Sequence, residues 1–318
     1  MRVYSGIDLG GTNVKVGFID DNFRLLCKSS IQTKPEMGPE NVFDRVAAEH
    51  NRLASENGFP LEDICIAGMG LPGPANLSEG ILINPPNLPG FENCPVRDIC
   101  SKKLGRRVVI ENDANAACWA EYECGKGEQS EDIAFVTLGT GVGGGLVCDG
   151  HLLHGFKESA AEVGHIIIYP DGRLCGCGQR GCAEAYASAS NTAARAEEYV
   201  KSGAASSLSE YDQITSEAVF QEAQKGDRLA LSVVEETAKV LALLAVNVQN
   251  TTNPERVIFA GGMIKAGDFL LDKIKFYFDK YCWPSRKGET DLAFSTLGTE
   301  SGMIGAAAVA RRHYLAGN

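Results

Sequence analysis

The chain has 318 residues, 44% hydrophobic and 22% charged, values ordinary for a folded globular protein and a length that suits two domains. A net charge of −11 argues against nucleic acid, because an acidic surface repels a phosphate backbone, and it gives no lipid-binding signature either. No apolar run approaches the roughly 18 residues of a membrane span, and the first residues lack the apolar core of a secretion signal, so the expectation is a cytoplasmic protein, with most of its 11 cysteines acting as small buried hydrophobes.

In chain order, "VYSGIDLG" reads as a buried strand and "NVKVGFID" as its hairpin partner. Residues 39–57 carry Val42, Val46 and Leu53 at helical spacing. "ICIAGMGLPG" is a second buried strand, and "SEGILINPPNLPGF" a strand fragment and a loop whose three prolines forbid a helix. "RRVVIENDANAACWAEYECG" reads as strand, polar turn and helix; "DIAFVTLGTGVGGGLVCDGHLL" as strand, glycine loop and strand. A loop-rich stretch near 156–185 precedes broken helices over 186–225 and a long helix over 227–250. "RVIFAGGMI", a helix near 267–281, the strand "DLAFSTLG" and the helix "GMIGAAAVARRHYL" complete the chain. Strands alternating with helices define an α/β protein.

An internal echo sharpens this reading. "GIDLGGTNVKVGFID" resembles "VTLGTGVGGGLVCDG" about 130 residues later, each a strand, an L-G turn and a strand. Two similar domains would each present one glycine turn. Glycines without Cβ let backbone N–H groups converge on phosphate oxygens, so Gly10, Gly11 and Thr12, with Gly139, Thr140 and Gly141, are candidates to hold one polyphosphate. Lys15 would add positive charge, and Asp8 an acceptor for the water shell of Mg²⁺. Neither turn matches a P-loop or a dinucleotide fingerprint, and a structural hairpin explains either turn taken alone.

"ENDANAA" places Glu111, Asn112 and Asp113 after a strand, where ligands sit in open α/β sheets. Asp113 is a candidate general base that takes a proton from a sugar hydroxyl; alternatively, Asp113 or Asn115 caps the following helix. In "HIIIYPDGRLCGCGQRGC", nine residues separate His165 from Cys175, one separates Cys175 from Cys177, and four separate Cys177 from Cys182. One imidazole and three thiolates are the ligand set of a closed, structural Zn²⁺ site, and three cysteines cannot pair evenly as disulfides. Glu162 and Glu184 lie near this cluster. With Asn84, Asn87, Asn112, Asp113 and His165 they form a set of polar loop residues suited to a polyhydroxyl ligand, although solvated loop polars account for any one of them.

Seven motifs in fixed order, "DLGGTNVKVG", "GLPGPANLSEGILINPPNLPGF", "IENDANAA", "LGTGVGGGLVCDGHLLHG", "EVGH", "CGCGQRGCAE" and "AGG", resemble the ROK family of sugar kinases and related repressors, in the manner of its bacterial glucokinases. The resemblance implies the actin-like ATPase (ribonuclease H-like) fold, with two similar α/β domains around a hinge cleft. The expected smaller domain spans 1–115 with about 301–318, and the larger spans 116–300 and carries the zinc loop. The implied activity is ATP-dependent phosphorylation of a hexose at the 6-hydroxyl, glucose first; the alternatives are N-acetylmannosamine, N-acetylglucosamine, fructose, or a non-catalytic sugar sensor. Asp113 would be the base. Asn87, Asn112, Asp113, Glu162, His165 and Glu184 would ring the sugar. The two glycine turns would hold ATP phosphates, Asp8 would lie near Mg²⁺, and Gly261 and Gly262 would lie near the adenosine. His165, Cys175, Cys177 and Cys182 would bind structural Zn²⁺. Implied partners are the hexose and ATP, without nucleic acid or membrane, in a homodimer or homotetramer. The repressor members begin with a helix-turn-helix, for which the early first strand leaves no room. This chain departs from the family pattern at Lys157 and Glu158, where small residues are usual, and at Phe91, where many glucokinases carry Trp.

Overall fold

The computed structural model describes residues 1–85 and 87–317, which divide into two compact units. The first comprises Met1–Glu128, Leu152–Ala160 and the chain from Thr299 onward. Its sheet is built from β1 (Val3–Leu9), β2 (Asn13–Ile19), β3 (Leu25–Gln32), β4 (Ile64–Leu71) and, after the short pair β5 (Ala75–Asn76) and β6 (Ile81–Leu82), β7 (Val108–Asn112). The order is β3-β2-β1-β4-β7; β1 to β3 form antiparallel hairpins, and β4 and β7 run parallel to β1. The helices are α1 (Pro39–Glu56), α2 (Val96–Leu104), α3 (Asp113–Cys124) and α9 (Ser301–Leu315). A proline at its start presets the first turn of α1, and Val42, Phe43, Val46, Leu53 and Ala54 form its buried stripe.

Helix α9 lies directly on this sheet. A Cβ at Gly6 of β1 or Gly68 of β4 would run into the carbonyl oxygen of Met303 or Ala306, so both strands present bare backbone to the helix. Gly6, the first glycine of the opening motif, is therefore a packing residue. On its other side α9 meets α3, where a Cβ at Gly305 would strike the Ala116 carbonyl. This packing keeps α3 in the first unit. The division falls after Glu128 rather than at the expected residue 115, and Leu152–Ala160 belongs to the first unit as well.

The second unit comprises Gln129–His151 and Ala161–Gly298. Its strands are β8 (Ile133–Leu138), β9 (Val142–Cys148), β10 (His151–Leu152), β11 (Arg256–Ala260) and β12 (Asp291–Phe294), in the order β10-β9-β8-β11-β12. Strands β8 and β9 are antiparallel; β11 runs parallel to both β8 and β12. This is the strand order of the first sheet repeated, the structural counterpart of the sequence echo. Helices α4 (Glu184–Ala187), α5 (Ala189–Lys201), α6 (Ser216–Gln224), α7 (Arg228–Thr252) and α8 (Asp268–Tyr281) pack around it. Asp227 caps α7 through the Ala230 N–H, and Asn253 ends it in the left-handed conformation. The apolar face of α7, from Val233 through Val240 and Leu244 to Val248, is buried.

Two elements had no assignable pattern in the sequence. Strand β3 is a sheet edge whose outward side chains are polar, and the nine residues of α2 begin directly after a proline that reads as loop. Phe91 is fully buried edge-on against Phe43, so a smaller ring fills that site within a closed core. Glu158, in a left-handed backbone conformation, accepts the Leu77 N–H.

Candidate active site

In the first unit, the turn between β1 and β2 carries Gly10, Gly11 and Thr12. The Gly10 N–H donates to the Asn13 carbonyl (3.0 Å), the Thr33 N–H donates to the Thr12 carbonyl (2.8 Å), and the Thr33 hydroxyl donates to the Gly10 carbonyl (2.6 Å). The turn is thus braced from behind by β3's end. Gly11 has no room for a side chain, because a Cβ would lie 2.8 Å from Cβ of Asn87. A candidate phosphate turn and a candidate sugar residue are in this way brought against each other. Asp8 lies opposite Lys15 in the hairpin register. Burial pushes its carboxyl pKa up, Lys15 pulls it partly back, and Glu300 adds to the rise. The Lys15 ammonium itself donates to the Thr299 carbonyl, where the chain re-enters this unit.

The turn from β7 into α3 shows which residue of "ENDANAA" caps the helix. Asn112 is the N-cap; its Oδ1 accepts the N–H groups of Ala114 (2.9 Å) and Asn115 (3.2 Å). Asp113 therefore is the first helical residue rather than the cap. Its Oδ1 accepts the Ala114 N–H (2.8 Å), and it stands half-buried at the N-terminus of the helix. With its oxygen committed to the backbone, Asn112 has only its NH₂ group left to offer a ligand. Behind the turn lies a residue that the sequence did not single out for a role: buried Glu111, which accepts from the Asn112 N–H (2.9 Å), from Asn115 Nδ2 (3.1 Å) and from His154 (2.8 Å). A buried acid one residue before an N-cap was the available signal.

In the second unit, Glu184 joins three candidate features. Its Oε2 accepts the Val142 N–H (2.9 Å) beside Gly141, where a Cβ would collide with that same oxygen. Its Oε1 accepts from Cys175 Sγ (3.3 Å). The four candidate metal ligands, His165, Cys175, Cys177 and Cys182, bring their donor atoms within 4.8 Å of one another. His165 Nδ1 lies 3.7 Å from Cys175 Sγ, and Cys177 Sγ lies 3.8 Å from Cys182 Sγ. A tetrahedral Zn²⁺ with Zn–S bonds of about 2.3 Å sets its sulfurs about 3.8 Å apart, so the donor set fits that ion. Burial pushes the Cys175 thiol up to about 12, and a bound metal cation would favour its thiolate form. Gly178 and Gly181 adopt positive φ to bend this loop. With Nδ1 facing the sulfurs, Nε2 of His165 is the ring nitrogen left for other partners. Glu162, at the start of the same turn, is exposed.

A pocket of about 470 Å³ lies wholly within this unit. Gly139, Thr140 and Gly262 line it together with Ser216, Phe220 and Lys265. Gly261, at φ 96°, lies so close to the Leu138 backbone that no side chain fits. The structure thus gathers Gly139 and Thr140 of the second glycine turn and Gly262 of "AGG" around one cavity. The α6 residues that wall it were not foreseen, because nothing local in α6 marks them.

Two sheets of one order, each with a glycine turn after its first strand, define the actin-like ATPase fold, and the flanking polar residues suit a phosphate-transfer site. Residues 4–313 match the ROK family, and the chain belongs to it. Over 309 residues, 96% of this chain and 93% of the relative, it is 35% identical to a glucokinase of Halalkalibacterium halodurans. The structure of the ROK hexokinase from Thermus thermophilus is similar, with TM-score 0.87, 30% identity and coverage of 99% and 100% of the two chains. So is that of a ROK family glucokinase from Streptomyces griseus in complex with glucose and AMPPNP, with TM-score 0.82, 31% identity and coverage of 98% and 99%.

Proposed function

We propose that this protein transfers the γ-phosphoryl group of ATP to the 6-hydroxyl of glucose. The observation that carries the reading is Asp113 at the first position of α3, with the capping duty taken by Asn112. A sugar hydroxyl is a weak nucleophile until a carboxylate accepts its proton. In the proposed step the 6-oxygen attacks the γ-phosphorus, its proton passes to Asp113, and the bond to the bridging oxygen breaks to release ADP. Positioning and charge stabilisation do most of the work in such transfers. Gly10, Gly11 and Thr12, and Gly139, Thr140 and Gly141, serve as donors to the phosphates, and the pocket at Gly262 takes the nucleoside. Asp8 is the carboxylate for the water shell of Mg²⁺, which supplies charge neutralisation on the phosphates when bound. Asn87 and Asn112 with Asp113, and Glu162, His165 and Glu184, are the assigned sugar contacts.

The zinc role is structural in this reading. Four protein ligands leave no open position, and the bound ion would fix the turn that holds His165 and Glu184. A loop that gathers three cysteines beside a histidine suits a reducing cytoplasm. No helix among the described residues is long and apolar enough to cross a membrane. A homodimer or homotetramer is part of the same reading, and light scattering after size exclusion tests it.

The deciding experiment couples ADP release to a spectrophotometric signal across glucose, mannose, fructose, N-acetylglucosamine and N-acetylmannosamine. Glucose is expected to give the highest kcat/KM. Asp113→Asn is expected to lose roughly 10²- to 10⁴-fold in kcat while retaining glucose binding by calorimetry. Near-normal turnover in that variant removes the general-base assignment.

A further inference from the structure

The base at Asp113 is held by a turn, and that turn has a support outside the assigned substrate and nucleotide residues. Glu111 ends the buried part of β7, with its side chain only 5% exposed. One carboxylate oxygen accepts both the Asn112 N–H and Asn115 Nδ2, so it clamps the residues on either side of Asp113. The other oxygen accepts from His154 Nε2 at 2.8 Å. A buried carboxylate with no compensating charge is strongly disfavoured, whereas one paired with an imidazolium is stabilised. His154 belongs to Leu152–Ala160, the short segment that re-enters the first unit. The same segment is pinned a second time, through the Leu77 N–H to Glu158. None of these contacts touches the residues assigned to ATP.

We propose that Glu111 and His154 form a positioning pair for the catalytic base, with His154 Nε2 donating to Glu111 and Glu111 holding the Asn112–Asp113 turn. The inference rests on the kinase reading above and assigns that reaction a protonation requirement of its own.

The imidazole is accessible to titration, because it borders a cavity of about 700 Å³ lined also by Arg97, Asp98, Arg107, Glu158 and His313. The charges that act on it are known from each packed element. The hydrogen bond to Glu111 of β7 raises its pKa most, burial lowers it, Glu158 of its own segment raises it, and Arg312 of α9 lowers it. His313 of α9, exposed at the rim of the same cavity, is itself held below its ordinary value by partial desolvation and by the cations Arg107 and Arg312. The net effect raises the His154 pKa above its ordinary value. Above the raised pKa the imidazole still donates a hydrogen bond, but a neutral one of roughly half the strength.

The test measures kcat and KM for ATP and glucose between pH 6 and 9 in the wild type, His154→Gln, His154→Arg and Glu111→Gln, with unfolding midpoint and zinc content recorded for each. The wild-type kcat is expected to decline as pH rises through the raised His154 pKa. His154→Gln keeps a donor without the charge; it should lower kcat about ten-fold near pH 7, leave KM for ATP within about two-fold, and lack that titration. His154→Arg should restore most of kcat and hold it flat over the same range. Wild-type kcat and pH profile in both His154→Gln and Glu111→Gln overturn the proposal. A loss of kcat that tracks only the folded fraction, with the titration intact, overturns it too. If the wild type phosphorylates no sugar at all, the kinase reading fails instead, which is a separate result.

Discussion

Gly305 sits in the interior of α9, where substitution by alanine ordinarily stabilises a helix by about 1 kcal/mol. Here the opposite is expected. A Cβ at this position would lie 3.1 Å from the Ala117 nitrogen and far inside the contact distance of the Ala116 carbonyl oxygen. Both obstacles are backbone atoms of α3, so no side chain can rotate away. The two helices must part by about an ångström, and forcing extra volume into a packed core costs about 1–3 kcal/mol. Against the propensity gain, the net is a destabilisation of up to about 2 kcal/mol, or up to roughly 8 °C in the midpoint of the first unit. The functional effect is larger in proportion. Ala116 is three residues beyond Asp113 on the same helix, and misplacing a catalytic group by about an ångström can cost on the order of 100-fold in rate. The assay is thermal unfolding by circular dichroism paired with coupled-enzyme kinetics on Gly305→Ala. A midpoint equal to or above that of the wild type, with unchanged kcat, refutes the claim that α3 is seated by this glycine.

Cys177→Ser is expected to lose bound zinc, measured by mass spectrometry of the metal, and to raise the KM for glucose more than that for ATP, since the loop carries His165 and Glu184. Wild-type protein purified without zinc would contradict the metal assignment. In the second unit, Glu222 is held down to about 2 by Lys225, Ser207 and Tyr211. A carboxylate whose folded pKa is depressed stabilises the fold above its unfolded value and loses that contribution as pH falls, here from about 4.5 toward 2. Glu222→Gln should therefore flatten the acid side of the stability profile between those values, and an unchanged profile would show that the carboxylate is not linked to folding.

Much of the site was legible because its chemistry is local in the chain. The spacing of His165, Cys175, Cys177 and Cys182 announces a tetrahedral ligand set, since eighteen residues of Gly-rich loop can close on one ion with little help from the rest of the fold. The glycine turns after β1 and β8 and the Asp113 motif are likewise short stretches whose residue types suggest the roles proposed for them. The repeated hairpins indicated a duplicated architecture, which the common strand order of the two sheets bears out. Strand β3 and helix α2 were missed because an edge strand and a nine-residue helix bury too few residues to impose a clear period.

Other features depend on residues far apart in sequence. The sequence offered Asp113 or Asn115 of "ENDANAA" as the cap, but Asn112 takes that place, because Asn and Asp all suit a cap and the backbone geometry at the end of β7 decided which one does. Gly6 and Gly68 look like turn or strand-weakening residues until α9, more than 230 residues downstream, is laid across them. The pairing of Glu111 with His154 has no sequence signature, since 43 residues separate them. By itself the sequence determined which residue types stand together in each short motif, because covalent spacing limits where neighbouring side chains can go. Which motifs are buttressed, and by what, was decided only by tertiary packing, because contact between distant residues follows from how helices and sheets fill space together.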